Sequence, residues 1–390
     1  MIYLDYNATT PLCRPALDEM RPFLEQHFGN PSSVHAAGRQ TRAAVDDSRD
    51  RLAHLLGVQP HELVFTSGGT ESNNLAILGL ARAHASRGRH LISASTEHHA
   101  VLNAFEHLRE REGFDVTFLP VDEDGRIDPD QLNRAIRDDT TLVSIMTANN
   151  ETGVIQPIEE LASVCRERGV LFHSDMGQSF GKLATRLNEI ELSAASFAAH
   201  KFHGPKGAGL LYLQTGLPIE ATQFGGAHEN QRRPGTEDAP AIVGMAAAAE
   251  WVLRDRPEEQ TRQGALRDQL WKRIEQSVPV AKLNGAHADR LANTLNVTFA
   301  GSESETILMA LDLEGVCASS GSACMVGSVV ASHVLLAMGV PAAEAGAAVR
   351  FSLGHETTSP EIDQAGEIVV RVIQRLSSIK SNATTEAYVT

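Results

Sequence analysis

The sequence predicts an α/β fold, a large domain on a mostly parallel sheet followed by a smaller α+β domain, and three observations carry this. Short apolar runs alternate with helical patterns between residues 62 and 213. Those runs are brief and apolar enough to read as buried strands. After two long helical stretches the pattern changes to strand, helix, loop and strand.

Taken in order, ELVFT (62–66), HLISA (90–94), DVTFLP (115–120), TLVSIM (141–146) and GVLFHSD (169–175) read as strands. Helical segments fall between them near 71–86, 99–112, 130–137 and 157–168. Two more strands are expected at 193–198 and 207–213. An alanine-rich helix (239–254) then meets a charged one (257–277), and a domain boundary is placed there. LANTLNVTF, a helix near 303–312, the loop SSGSAC and VRFSLG make up the smaller unit. The last ten residues, SNATTEAYVT, read as a frayed tail.

Composition narrows the function classes. The 390 residues are 42% hydrophobic and 21% charged, which suits a globular chain with a large core. A net charge of −15 argues against a nucleic-acid binder, which would show a basic patch. No apolar run is long enough to span a membrane, and the opening MIYLDYNATTP shows no secretory leader. The four cysteines, Cys13, Cys165, Cys317 and Cys324, form no CxxC pair, so neither a metal site nor a disulfide framework is expected. A reducing cytoplasm is the expected compartment.

Four features carry chemistry. Ser67-Gly68-Gly69-Thr70-Glu71 lies between a strand and a helix, where free N–H groups suit a phosphate; a plain turn is the rival reading. His98, with His99 beside it, follows a strand end and could stack on a flat ring or move a proton. Asp175 ends an apolar strand, with Gln178 three residues on; a carboxylate there sits where open α/β sheets bind ligands, though it could be a helix cap. Lys201, in AAHKFHGPKG, could be a Schiff-base amine and is preferred to Lys206 in the turn beyond. Together they match what pyridoxal phosphate (PLP) needs: a phosphate cradle, a stacking ring, a carboxylate for the pyridine nitrogen and an amine. Cys324 is flanked by small flexible residues, which suit a nucleophile that must travel better than a packed structural thiol, and the loop alone does not decide between them.

The series LDYNATTP, FGNPSSVH, FTSGGTESNNLAI, TEHHAVL, NNETGVIQPI, HSD–Q, HKFHGPKG, RRPGTE, NTLNVTF, SSGSAC and RFSLG resembles, in order and over almost the whole chain, cysteine desulfurases of the NifS/IscS type, among the class V aminotransferase-like PLP enzymes. The resemblance implies the PLP-dependent transferase fold (aspartate-aminotransferase-like, type I). It implies a large domain over 15–255 and a small domain from 1–14 and 256–390 carrying the catalytic-cysteine loop at about 319–331. It implies conversion of L-cysteine to L-alanine, with sulfur passing to Cys324 as a persulfide. By motif, Lys201 would form the Schiff base and take the substrate's Cα proton, while Gly69, Thr70 and His200 would hold the phosphate. His98 would stack on the ring and is a candidate to activate the thiol. Asn150 and Gln178 would bond the phenolic oxygen, and Asp175 the pyridine nitrogen. Arg350, helped by Asn150, would clamp the substrate carboxylate. Thr236 would reach the phosphate of a neighbouring subunit, implying a homodimer. The long segment between SSGSAC and SHVL resembles the group that hands sulfur to acceptor proteins such as iron–sulfur scaffolds.

Two positions depart from the family pattern: Ala198 where a phosphate-binding serine is usual, and Met176 where a small residue is usual, so Met176 either narrows the pocket or fills space. A selenocysteine lyase or cysteine β-lyase on the same fold is the alternative. A non-catalytic docking homologue is disfavoured by the intact Lys201, Asp175 and Cys324.

Overall fold

The computed structural model describes residues 1–321 and 331–387, with side chains through residue 378. The Cys324 expectation therefore lies outside the described residues.

Twelve strands are described. A short first strand, β1 (Ile2–Tyr3), precedes the seven of the main sheet: β2 (Leu63–Thr66), β3 (His90–Ala94), β4 (Asp115–Leu119), β5 (Thr140–Ser144), β6 (Leu171–Asp175), β7 (Ala194–Ala198) and β8 (Gly209–Leu213). Their spatial order is β2-β8-β7-β6-β5-β3-β4. From β7 to β4 every pairing is parallel, and β8 alone runs antiparallel to both its neighbours. This is the predicted mostly parallel sheet, with each strand found within two residues of its expected limits.

Alternate residues of each strand feed two cores, as a side-chain period of two requires. Val64, Leu91, Leu142 and Leu211 join Leu75, Leu80, Phe105 and Leu108 from the helices Gly69–Ala83 and His99–Glu112. Phe65, Ile92, Val143 and Leu210 face the other way, toward Leu161, Met245 and Leu52. Met176 lies in this second core with Phe180 and Phe197, 1% exposed, so it fills space there.

A second sheet holds β9 (Ala281–Leu283), β10 (Thr294–Phe299) and β12 (Ala348–Ser352) in the antiparallel order β12-β10-β9. Its core includes Leu270 and Ile274 of the helix Arg256–Ser277, and Val369 and Val372 of Ser359–Ala387. Ile2 and Leu4 belong to the same core. Strand β1 pairs in parallel with β11 (Val316–Cys317), so the chain's opening residues lie against its last quarter.

Three long helices were not anticipated, Arg14–Glu25, Ala36–Leu56 and Ser359–Ala387, nor were the short ones at Leu187–Ile190, His333–Ala337 and Ala342–Ala345. The helix Ser359–Ala387 corrects the expectation of a frayed tail, since SNATTEA continues a helix to Ala387. Its apolar stripe, packed on Arg256–Ser277, nucleates a helix that weaker formers then extend.

His173 of β6 is fully buried and bridges three neighbouring strands, meeting the Ser144 hydroxyl of β5 at 2.8 Å and that of Ser196 of β7 at 2.9 Å. Burial pushes its pKa down from 6.5 to about 4. Between those values the unfolded chain binds more protons than the folded one, so stability falls as pH falls. The loss attributable to His173 is about 3 kcal/mol once pH passes below the folded value. Urea unfolding from pH 7.5 to 4.5 should show an acid slope about one proton shallower in His173→Gln; equal slopes would remove this assignment.

Candidate active site

Most of the sequence-predicted residues stand at or follow the carboxyl ends of the main sheet's strands, where an open sheet leaves a crevice, while Arg350 comes from the middle of β12 in the second sheet and Thr236 from an exposed loop. Asp175 is the last residue of β6, and Lys201 closes the 3-10 turn Ala199–Lys201 that follows β7. His98 follows β3 and caps the helix His99–Glu112. Gly68 and Gly69 follow β2 and open the helix Gly69–Ala83.

The Lys201 amine donates to the carbonyl oxygens of Asn7 (2.7 Å) and Ala8 (2.9 Å). Lys206, the competing lysine, is exposed. Asp175 accepts from the Gly177 amide (2.9 Å) and the Asn73 carboxamide (2.7 Å), which fixes its plane and leaves lone pairs for a further donor. His98 Nδ1 accepts from the Ala100 amide at 3.1 Å, so the proton of the neutral ring sits on Nε2. Burial holds the His98 pKa below its ordinary value; Asp175 opposes this and Lys201 adds to it, so the three groups share one electrostatic environment. His99 instead stacks on His333, with ring centroids 4.7 Å apart.

Gln178 donates to the Asn7 carbonyl (3.0 Å) and accepts from Lys182 (3.0 Å). Arg350, on β12, is 3% exposed; it donates to Asp5 (2.7 Å) and to the Asn150 carbonyl (2.8 Å), and its Nε is buried without a partner. His200 meets the Thr9 hydroxyl at 3.2 Å, and burial chiefly, with nearby Lys201, pushes its pKa down to about 4.

The Gly68–Gly69 turn has no side-chain cap, so its first amides are open to an anion. A Cβ on Gly69 would come within 3.2 Å of the Ala198 methyl, placing Ala198 beside the start of that helix. Thr70 and Thr236 are exposed. The segment holding Thr236 is tied to the same helix by Arg233, whose Nε meets Glu71 at 2.8 Å.

The flanks of the cysteine loop are described even though Cys324 is not. Ser319 exchanges both backbone hydrogen bonds with Arg350, at 2.6 and 3.1 Å. Ser332 donates to the buried Glu151 carboxyl at 2.5 Å. The other thiols are Cys13 and Cys165, both buried, and Cys317; burial raises all three, Cys165 to about 12, which suits inert packing.

Sequence reasoning missed Asn7 and Lys182. Asn7 is 1% exposed and binds Lys201, Gln178, Lys182, Asn293, Thr294 and Ser352. Its motif LDYNATTP was noticed, but no local pattern marks a residue whose partners lie 171 to 345 positions away. Lys182 carries no motif signal. Among the described residues no cluster of His, Cys, Asp or Glu is arranged to hold a metal, and no helix is long and apolar enough to cross a membrane.

The family model for class-V aminotransferases matches residues 2–365, which places the chain in that class. Cysteine desulfurase IscS of Dictyoglomus turgidum is 44% identical over 378 residues, 97% of this chain and 96% of the relative. The same-named protein of Methanosarcina thermophila is 42% identical, across 97% of this chain and 93% of its own. The solved structure of a NifS-like protein superposes with a TM-score of 0.89 at 35% identity, covering 96% of this chain and 99% of that one. Within the class, the chain belongs to the cysteine desulfurase family of the NifS/IscS type.

Proposed function

We propose that this protein converts L-cysteine to L-alanine with PLP and passes the sulfur to Cys324 as a persulfide. The carrying observation is that Asp175 and Lys201 stand at the ends of the adjacent strands β6 and β7, with the Asn7 carbonyl on the Lys201 amine, and that Asn7 and Arg350, the latter midway along β12, both donate to the Asn150 carbonyl.

The residues fit the cofactor. An uncapped helix start at Gly69 suits its phosphate, Asp175 retains acceptor capacity, and the buried Nε of Arg350 lacks a partner. When bound, PLP supplies an electron sink for bond breaking at the substrate's Cα. Gly69, Thr70 and His200 would hold the phosphate, and Thr236 from a second copy would complete it. Asp175 would accept from the pyridine nitrogen, and Asn150 and Gln178 would bond the phenolic oxygen. His98, with its proton on Nε2, would stack on the ring. Lys201 would supply the amine for the covalent link and would take the substrate's Cα proton on Nζ. Arg350, held in line by Asp5, clamps the substrate carboxylate with Asn150. Cys324 would attack the substrate sulfur as a thiolate, the S–S bond forming as the substrate's Cβ–S bond breaks and leaves its electron pair on carbon, which a proton then takes to give alanine. With Nδ1 held by the Ala100 amide and Nε2 already protonated, His98 would have to release one of these before it could take the thiol's proton.

The reading divides the chain into a cofactor-binding domain, 15–255, and a small domain from 1–14 and 256–390. It includes a homodimer. Phe28, Val34 and Phe224 are 88–92% exposed, and Ser32 contacts His228 at 3.2 Å, so these apolar groups lie on joined segments a second copy could cover. A sulfur-accepting protein, such as an iron–sulfur scaffold, completes the cycle in a reducing cytoplasm.

The decisive test is the intact mass of the PLP-loaded protein after brief exposure to L-cysteine without reductant, with peptide mapping. One added sulfur on Cys324 is expected. Alanine formation without added sulfur would mean direct sulfide release and would overturn the proposal.

Ala198 presents a methyl and no hydroxyl beside the start of the helix Gly69–Ala83. Ala198→Ser should tighten PLP binding about tenfold, the worth of one hydrogen bond to a charged acceptor. An unchanged Kd by equilibrium dialysis would show that the phosphate lies elsewhere.

A further inference from the structure

Lys182 is a half-buried lysine that lines a cavity, with no carboxylate bonded to it among the described residues. Its amine donates to Gln178 Oε1 at 3.0 Å and to Asn7 Oδ1 at 3.3 Å, and no ion pair reaches it among the described residues. Such a group is costly to bury, so its retention calls for a use. The cavity it lines also has Lys201 on its wall.

The two hydrogen bonds have a directional consequence. A lysine amine only donates here and a backbone carbonyl only accepts. Gln178 lies between one of each, Lys182 on its oxygen and the Asn7 carbonyl on its nitrogen, so its carboxamide has one permitted orientation. The same Asn7 carbonyl accepts from the Lys201 amine at 2.7 Å. Asn7 is itself oriented, with Oδ1 accepting from Lys182 and Asn293 and Nδ2 donating to Thr294.

We propose that Lys182 is a positioning residue of the active site, fixing which way the Gln178 carboxamide faces and linking it, through Asn7, to the Lys201 amine. The inference rests on the roles of Lys201 and Gln178 given above. In the fixed orientation Gln178 keeps an N–H for the cofactor's phenolic oxygen; turned over, it would present a carbonyl to an anionic oxygen. A neutral lysine amine still has two N–H groups, enough for both acceptors, so the orientation survives loss of its proton.

Charge adds a second effect. Burial, then the positive charges of Lys201 and Arg350, push the Lys182 pKa down to about 7. The other groups around this cavity are Tyr6, His203, His355, Asp255 and Glu259. Glu259 is engaged by Arg262 and Gln263, and Asp255 by Arg254, so neither neutralises Lys182. Coulomb coupling is mutual, so a protonated Lys182 favours the uncharged form of Lys201.

The test compares wild type with Lys182→Met, Lys182→Gln and Lys182→Arg in the full chain. In the PLP-loaded protein, the pH midpoint of the cofactor absorption should rise in Lys182→Met, by on the order of one pH unit. Lys182→Arg, which keeps a charge, should not raise it. PLP affinity should fall severalfold in Lys182→Met and less in Lys182→Gln, with the far-ultraviolet circular dichroism unchanged. In the cofactor-free chain, acetylation of Lys201 mapped by mass spectrometry should show its pH midpoint moving the same way. A folded Lys182→Met, or Lys182→Gln should the former not fold, with both midpoints unmoved overturns the inference. A wild type showing no cofactor absorption linked to Lys201 instead overturns the reading of the site, and the acetylation midpoints then decide the role of Lys182.

Discussion

Lys201→Ala should lower turnover of L-cysteine by ~10⁴-fold or more while leaving the fold intact. Proton transfer by a placed side chain alone contributes about 10²–10⁴, and under the proposed function the same amine would also carry the covalent link to the cofactor. Loss of its hydrogen bonds to the Asn7 and Ala8 carbonyls leaves those acceptors to water in the crevice, so the structural cost is modest. Lys201→Arg should be nearly as inactive, because a guanidinium stays protonated and does not form the link. Single-turnover alanine release and the cofactor's absorption are the measurements; activity within tenfold of wild type would move the amine's role to another lysine.

Arg350→Ala should cut kcat/KM by about 10²–10⁴, corresponding to the 3–5 kcal/mol typical of breaking a buried charge pair. Three directions of the guanidinium are accounted for: Nη2 to Asp5, Nη1 to the Asn150 carbonyl, and a buried Nε left for a ligand. Its backbone meanwhile pairs with Ser319 at the start of the cysteine loop, and that pairing does not depend on the side chain. The loss should therefore appear mainly as a raised KM. Arg350→Lys should not restore it, since an ammonium lacks the forked geometry that meets a carboxylate with two parallel bonds. Asp5→Asn, which releases the guanidinium without removing it, should give a smaller loss. Equal KM values for Arg350→Ala and wild type would show that the substrate carboxylate binds elsewhere.

The parallel sheet was legible because its strands are short buried runs whose ends are marked by the change to helical spacing; β3 and the helix His99–Glu112 fall where expected, residue for residue. Lys201 and Asp175 were legible for the same reason, as charged residues ending apolar strands. The helix Ala36–Leu56 was not, because its buried positions are few and include Gly38, Thr41 and Ser48, too small or polar for an apolar stripe to stand out. Asn7 and Lys182 were hidden for a different reason. Their importance lies in contacts between distant segments, and a polar residue in a loop gives no local sign that it will be enclosed. His98 and His99 were indistinguishable in sequence, and the fold separates them: one shares the environment of Asp175 and Lys201, the other stacks on His333.

The pairing of β1 with β11, and the bond from the Ser352 amide to the Leu4 carbonyl, also set a clock. On the ribosome the residues around Asn7 emerge first, yet the partners that hold them emerge only after some 350 have been made. At about 5–20 residues per second, the interval is on the order of half a minute. Through that time the large sheet can form with Lys201 in place but without the Asn7 and Ala8 carbonyls held above it. Under the proposed function, competence to retain the cofactor would thus arrive only once β12 has been made. A nascent chain stalled before β12 should carry the sheet and its lysine, yet hold PLP weakly.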